Sequence, residues 1–151
     1  MAKKLITHIM VLVDGGTEQS FRAAAQAIAL SRITGAKLTA IAVIDTGTLR
    51  QLLTYRILAT QEMSEFEAEL ESSSRLYLER VRAMALEEKV VVEQVLVRGP
   101  YHTSILDQQK QLGADLLVLG AFKSSQTTRD LMAREYQKVV DEVPCPVMLV
   151  K

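Results

Sequence analysis

The sequence predicts an α/β fold: a mostly parallel sheet with helices on both faces. Three observations carry this. Five apolar runs, at residues 6–13, 38–44, 90–97, 116–119 and 147–150, alternate with segments of helical pattern. Such alternation implies parallel strands joined by right-handed crossovers. The first, second and fourth runs are nearly continuously apolar, as strands covered on both faces are. The first four also end on turn-forming residues: Asp14-Gly15-Gly16, Asp45-Thr46-Gly47, Arg98-Gly99-Pro100 and Gly120.

The elements follow in order. ITHIMVLV (6–13) is the first strand. Thr17 and Ser20 are candidate caps for an alanine-rich helix over 21–33, which Gly35 ends. LTAIAVI (38–44) is the second strand. Residues 48–88 form one long helical region with a possible break near 59–64, and its later part, 65–88, mixes acid, base and apolar groups as a surface helix does. The segment 45–64 is the one unusually long connection, of the kind that builds lids, binding loops or interfaces. VVVEQVLV (90–97) is the third strand. A short helix over 102–112 ends at Gly113. The fourth strand, 116–119, is followed by a polar loop, a helix over 131–142 stopped by Pro144, and the closing strand 147–150.

Composition narrows the function. A chain of 151 residues is one domain by default. Its 48% hydrophobic content suffices for a substantial core. Lys+Arg and Asp+Glu both number 18, and that balance argues against a general nucleic-acid or membrane-surface binder. The single Cys145 excludes an internal disulfide framework. No basic segment precedes an apolar one at the start, so no signal peptide is expected. No apolar run approaches the roughly 20 residues of a membrane span. The expectation is a cytoplasmic protein.

Chemistry-bearing residues are sparse. His8 lies in the first strand and reads as a structural histidine. His102 reads as a helix-start residue; as a catalytic base it would need a nucleophile and an orienting partner, and Ser104, only two residues on, is too near in sequence to suggest a triad by itself. Two isolated histidines and one cysteine give no metal-ligand spacing. Neither a P-loop nor a G-x-G-x-x-G fingerprint occurs. No catalytic residue is assigned. In open α/β sheets ligands bind beyond the carboxyl ends of the strands, at the switch point. The candidates there are Asp14-Gly15-Gly16 and the loop from Gly120, provided the first and fourth strands are neighbours.

These residues carry a resemblance. VLVDGGTEQS, AVID and LLVLGAFKSS with the terminal KVVDEVPCPVMLV resemble the universal stress protein family over almost the whole chain. The resemblance implies a Rossmann-like three-layer sandwich, with a five-stranded parallel sheet of order 3-2-1-4-5. It also implies a homodimer joined through the final strand, Val147–Val150. That strand would be an apolar edge without charge before Lys151, and such edges are covered or paired.

ATP-binding members of that family carry G-x-x-G, nine residues, then G-S or G-T after strand four. This chain has Gly120, Ala121, Phe122 and Lys123, then Ala133 and Arg134, so only the first glycine survives. Glycines let backbone N–H groups approach phosphate oxygens. Lys123 adds a long side chain there, and Arg134 replaces a hydroxyl. The opposite reading is that Lys123, Arg129 and Arg134 bind an anion by charge. Asp14 and Val43 match family positions that hold the ribose or adenine of a nucleotide. Equally, Asp14 reads as a helix cap and Val43 as core.

The expected function is therefore a regulatory or protective role in the stress response, without catalysis and with weak or no ATP binding. The alternative is a switch binding ATP, AMP or another anion, whose occupancy alters an unidentified protein partner. A third reading, an adenylating enzyme, rests on fold analogy alone.

Overall fold

In the computed structural model of the chain, the described residues are 5–55, 59–122 and 129–151, the side chains of 48, 51, 52 and 129–132 excepted. The order is β1 (His8–Leu12), α1 (Glu18–Thr34), β2 (Lys37–Asp45), α2 (Thr46–Thr54), α3 (Thr60–Glu87), β3 (Val92–Gly99), α4 (Tyr101–Leu112), β4 (Leu116–Gly120), α5 (Arg129–Glu142) and β5 (Val147–Val150). The strands form one sheet of order β3-β2-β1-β4-β5. All pairings are parallel. This is the expected Rossmann-like arrangement.

Successive side chains of a strand point to opposite faces, and the core divides accordingly. Ile9 and Val11 of β1, with Leu38, Ala40 and Ala42 of β2, pack under α1 and α3 against Ala24, Ala27, Leu78 and Val81. Met10 and Leu12, with Ile41, Leu117 and Leu119, pack under α4 and α5 against Tyr101, Ile105, Tyr136 and Val139. The three central strands are therefore apolar at nearly every position, as their sequences foretell. The edge strand β3 is not: of its residues only Val92 is buried.

Helix α1 shows local sequence acting directly. Thr17 is its N-cap and accepts the Ser20 N–H at 3.2 Å. Gly35, at φ 74°, takes the left-handed position that ends it and donates to the Ser31 carbonyl at 2.9 Å. Its sheet-facing side is alanine, with Ala23, Ala24 and Ala27 fully buried, so its backbone lies close on the sheet.

The helical region expected over 48–88, with its break near 59–64, is two helices, α2 and α3. Helix α2 begins at Thr46, directly after β2, and α3 begins at Thr60. Leu49 of α2 is buried. Edge burial and helical hydrogen bonding absorb a segment whose Thr-Gly-Thr start carries weak helical preference. None of the described helices is long and apolar enough to cross a membrane.

Candidate functional site

The carboxyl ends of β1 and β4 lie side by side, and the chain leaves them in opposite directions across the sheet: toward β2 from β1, toward β5 from β4. This is the switch point, where a crevice opens because neighbouring connections diverge. A cavity of about 200 Å³ occupies it, lined among others by Asp14, Thr17, Ser20, Gly120, Phe122 and Tyr136.

The β1 side of the cavity is a closed polar network. The Asp14 backbone N–H donates to Ser20 Oγ at 3.0 Å. Ser20 in turn donates its N–H to the capping Thr17 hydroxyl. The Asp14 carboxylate accepts the Tyr101 hydroxyl at 3.2 Å. Burial pushes the Asp14 carboxyl above its ordinary value; the Tyr101 hydrogen bond opposes this, and the Asp45 charge adds to it. The same pairing raises the Tyr101 phenol well above its ordinary range, through burial first and the Asp14 charge second. Asp14 is thus no helix cap. It is a carboxyl at the cavity wall whose charged form burial penalises.

The β4 side is built from backbone and aromatic rings. A Cβ at Gly120 would stand 2.6 Å from the Gln19 carbonyl group and 2.9 Å from the Ser20 nitrogen. The glycine is therefore required where β4 meets the first turn of α1. Its local need for hydrogen in place of a side chain is explained by packing against protein. Tyr136 of α5 donates its hydroxyl to the Gly120 carbonyl. Its ring lies 5.4 Å from that of Phe122 at an interplanar angle of 34°. Burial, then the Asp14 charge, raises the Tyr136 phenol, so it stays a donor at physiological pH.

The sequence-named residues fall as follows. Asp14 and Gly120 meet at the cavity. Val43 is half-buried and packs against the core under α4 and α5. Arg134 is exposed on α5. Lys123 lies outside the described residues, as does the Arg129 side chain. Among the described residues that line the cavity there is no Lys, Arg or His.

Sequence reasoning missed Tyr101 and Tyr136. The available signal for Tyr136 was its place in the apolar stripe with Val139 and Val143, which reads as core and conceals the hydroxyl's reach. Nearby, His102 at the start of α4 pairs with α5. Its Nδ1 lies 2.5 Å from Glu135 Oε2, its backbone N–H donates to the same oxygen at 3.2 Å, and its Nε2 stands 4.0 Å from Glu142. Burial would raise the Glu135 carboxyl, but the His102 ring and N–H outweigh it and hold the group below its ordinary value. Both ring nitrogens face carboxylates, and these contacts tie α4 to α5. His8 is likewise satisfied, 2.8 Å from Thr39 Oγ1. No group of metal-binding side chains occurs among the described residues.

The family model described as "Universal stress protein family" matches residues 6–151. Among curated proteins there is no match. Solved structures resemble the chain over nearly its whole length. The universal stress protein UspA from Lactobacillus plantarum is 21% identical, with 96% of this chain and 99% of that one covered and a TM-score of 0.72. A universal stress protein from Archaeoglobus fulgidus in complex with dAMP is 17% identical, with coverage of 97% and 99% and a TM-score of 0.66. A universal stress protein in complex with cAMP is 19% identical, with coverage of 95% and 97% and a TM-score of 0.64. At these identities the likeness is one of fold.

Proposed function

The chain belongs to the universal stress protein family, and we propose that it serves the stress response as a cytoplasmic regulatory or protective protein, without catalysis and with weak or no ATP binding. The observation that carries this reading is the cavity between β1 and β4. Its volume of about 200 Å³ is below the roughly 300–1,000 Å³ of ordinary small-molecule sites. Its described lining offers a carboxyl and no cation, so none of the described lining residues would neutralise the negative charge of a triphosphate. Of the polar groups that line it, Asp14 bonds Tyr101 behind the wall and Tyr136 bonds the Gly120 backbone, which supports a role in shape more than in chemistry.

The test is titration calorimetry and thermal melting with ATP–Mg²⁺, AMP, cAMP and dAMP. A ligand at about 100 times its Kd would add roughly 2.7 kcal/mol of stability. The expected result is no shift with millimolar ATP and no ATP turnover. Micromolar ATP affinity or enzyme-like hydrolysis would refute the reading.

A second reading is favoured by the cavity's position at the switch point and by the relatives solved with dAMP and cAMP: a nucleotide-responsive switch in which AMP-type occupancy alters contact with a protein partner. A melting shift with a monophosphate or cyclic nucleotide, absent with ATP, would select it.

The chain is further proposed to pair with a second copy through β5. This strand is an edge, and Leu149 is 49% exposed on it. Its outward N–H and C=O groups are of the kind that pairing satisfies. Leu149→Asp is expected to shift the sedimentation profile from dimer to monomer at micromolar concentration; an unchanged profile would reject this interface.

A further inference from the structure

We propose that Tyr136 is the residue that sets which ligands this cavity admits: its ring fills the part of the switch-point crevice beside Gly120 and keeps out anything as large as a nucleotide. The proposal deepens the weak-ATP reading above and rests on it for the location of the site.

The walls of the cavity differ in what they permit. The α1 wall is backbone. Gln19 and Ser20 lie so close to Gly120 that even one methyl group there would collide with them. Three hydrogen bonds among Asp14, Ser20, Thr17 and Tyr101 hold the β1 wall. Among the described residues, the wall on the β4 and α5 side is the aromatic pair Phe122 and Tyr136. Tyr136 reaches in from α5 across the end of β4 to the Gly120 carbonyl and is only 8% exposed. Any ligand that enters deeper must turn this ring out. It must also replace the phenol as donor to the Gly120 oxygen, because a buried carbonyl left without a partner is costly.

The chemistry of an admissible ligand follows. It is small, carries an N–H or O–H donor for the Gly120 carbonyl, and brings no net negative charge toward Asp14. A free nucleobase or a small polar amide fits that space, and a nucleotide does not while the ring is in place. Burial keeps the Tyr136 hydroxyl protonated, so the contact persists across the physiological pH range. Glu135, next to Tyr136, grips His102 through both ring and backbone, which fixes the helix that carries the ring.

The experiment compares wild type with Tyr136→Ala, Tyr136→Leu and Tyr136→Phe, each checked for a cooperative thermal transition, by calorimetric titration with AMP, ATP–Mg²⁺ and adenine. Tyr136→Ala and Tyr136→Leu, which remove the ring, are expected to bind AMP about tenfold or more tightly than wild type. Tyr136→Phe keeps the ring and is expected to match wild type within about threefold. Should the alanine variant not fold, the leucine variant, which retains apolar packing, carries the same arm. Folded ring-deleted variants that bind AMP no better than wild type would overturn the proposal, and so would a phenylalanine variant that gains as much as alanine. The outcomes separate the two claims. Micromolar ATP binding by wild type would overturn both the weak-ATP reading and the gate, whereas weak ATP binding by wild type with no gain in folded ring-deleted variants would overturn the gate alone.

Discussion

The two ends of β1 are held by two aspartates in opposite circumstances. At the start of the strand, Asp115 from the turn before β4 accepts the Thr7 N–H at 2.8 and 3.0 Å, the Thr7 hydroxyl at 2.7 Å and the His8 N–H at 3.0 Å. Partial burial would raise this carboxyl, but its hydrogen bonds win and hold it below the ordinary value. At the far end, Asp14 has the Tyr101 hydroxyl, lies at the cavity wall and is raised above its ordinary value, burial being the main cause. The first aspartate clips two strands together. The second is kept in surroundings that penalise its charge, the condition found where a protein handles ligands. Stability is concentrated at one end of the sheet and adaptable chemistry at the other.

The substitution expected to break this contrast most severely is Gly120→Ala. Its methyl would meet the Gln19 and Ser20 backbone, and overpacking of this kind costs about 3 kcal/mol at its upper range. Urea unfolding should show the loss; a change below about 0.5 kcal/mol would mean that α1 yields easily. Asp115→Ala should cost about 1.5 kcal/mol at pH 7, the scale of hydrogen bonds to a charged group. The sign is definite. A carboxyl lowered in the fold contributes stability above its unfolded value, near 3.8, and the contribution is lost as pH falls through the folded value. Wild type and variant should therefore converge in acid, and a gap that persists at pH 2 would deny the mechanism.

Thr17→Ala, at the cavity end, removes the α1 cap and should cost about 1 kcal/mol. It should also loosen Ser20, visible as faster amide exchange at Asp14. Asp14→Asn has the opposite sign. A carboxyl raised in the fold is at its most favourable below its unfolded value, also 3.8, and loses that advantage as pH rises through the folded value. Replacing it by a neutral isostere that still accepts from Tyr101 should raise Tm at pH 7 and leave Tm at pH 3 unchanged. A fall in Tm at pH 7 would show that the charged form is the one the fold prefers.

Much of the fold is legible in the chain because the central strands need apolar residues on both faces, and 6–13, 38–44 and 116–119 display that need without alternation. The turn glycines and Thr17 mark where α1 starts and stops. What escaped was whatever depends on partners far away. β3 is set apart in the sequence only by Glu93 and Gln94, while the exposure of most of the strand follows from its being an edge. The helical reading from 48 onward covers α2, but its start at Thr46 was hidden because Gly47 and the threonines around it are poor helix formers. In the site, Asp14 and Gly120 stand out as strand-end residues. Tyr101 and Tyr136 do not, since the first reaches its partner across 87 positions of sequence and the second across 16, and each otherwise resembles an aromatic core residue.

The missing side chain at Gly120 also bears on how the strands find their alignment. β4 pairs with β1 so that Val11 faces Val118, leaving Gly120 beneath the first turn of α1. A slip of two residues either way would preserve every inside–outside assignment, so hydrophobic pattern cannot forbid it. It would, however, push Val118 or Phe122 into the place where a single hydrogen fits against the Gln19–Ser20 backbone. The glycine thus acts as a registration mark during assembly, read by helix α1 and rejecting neighbouring alignments by volume alone.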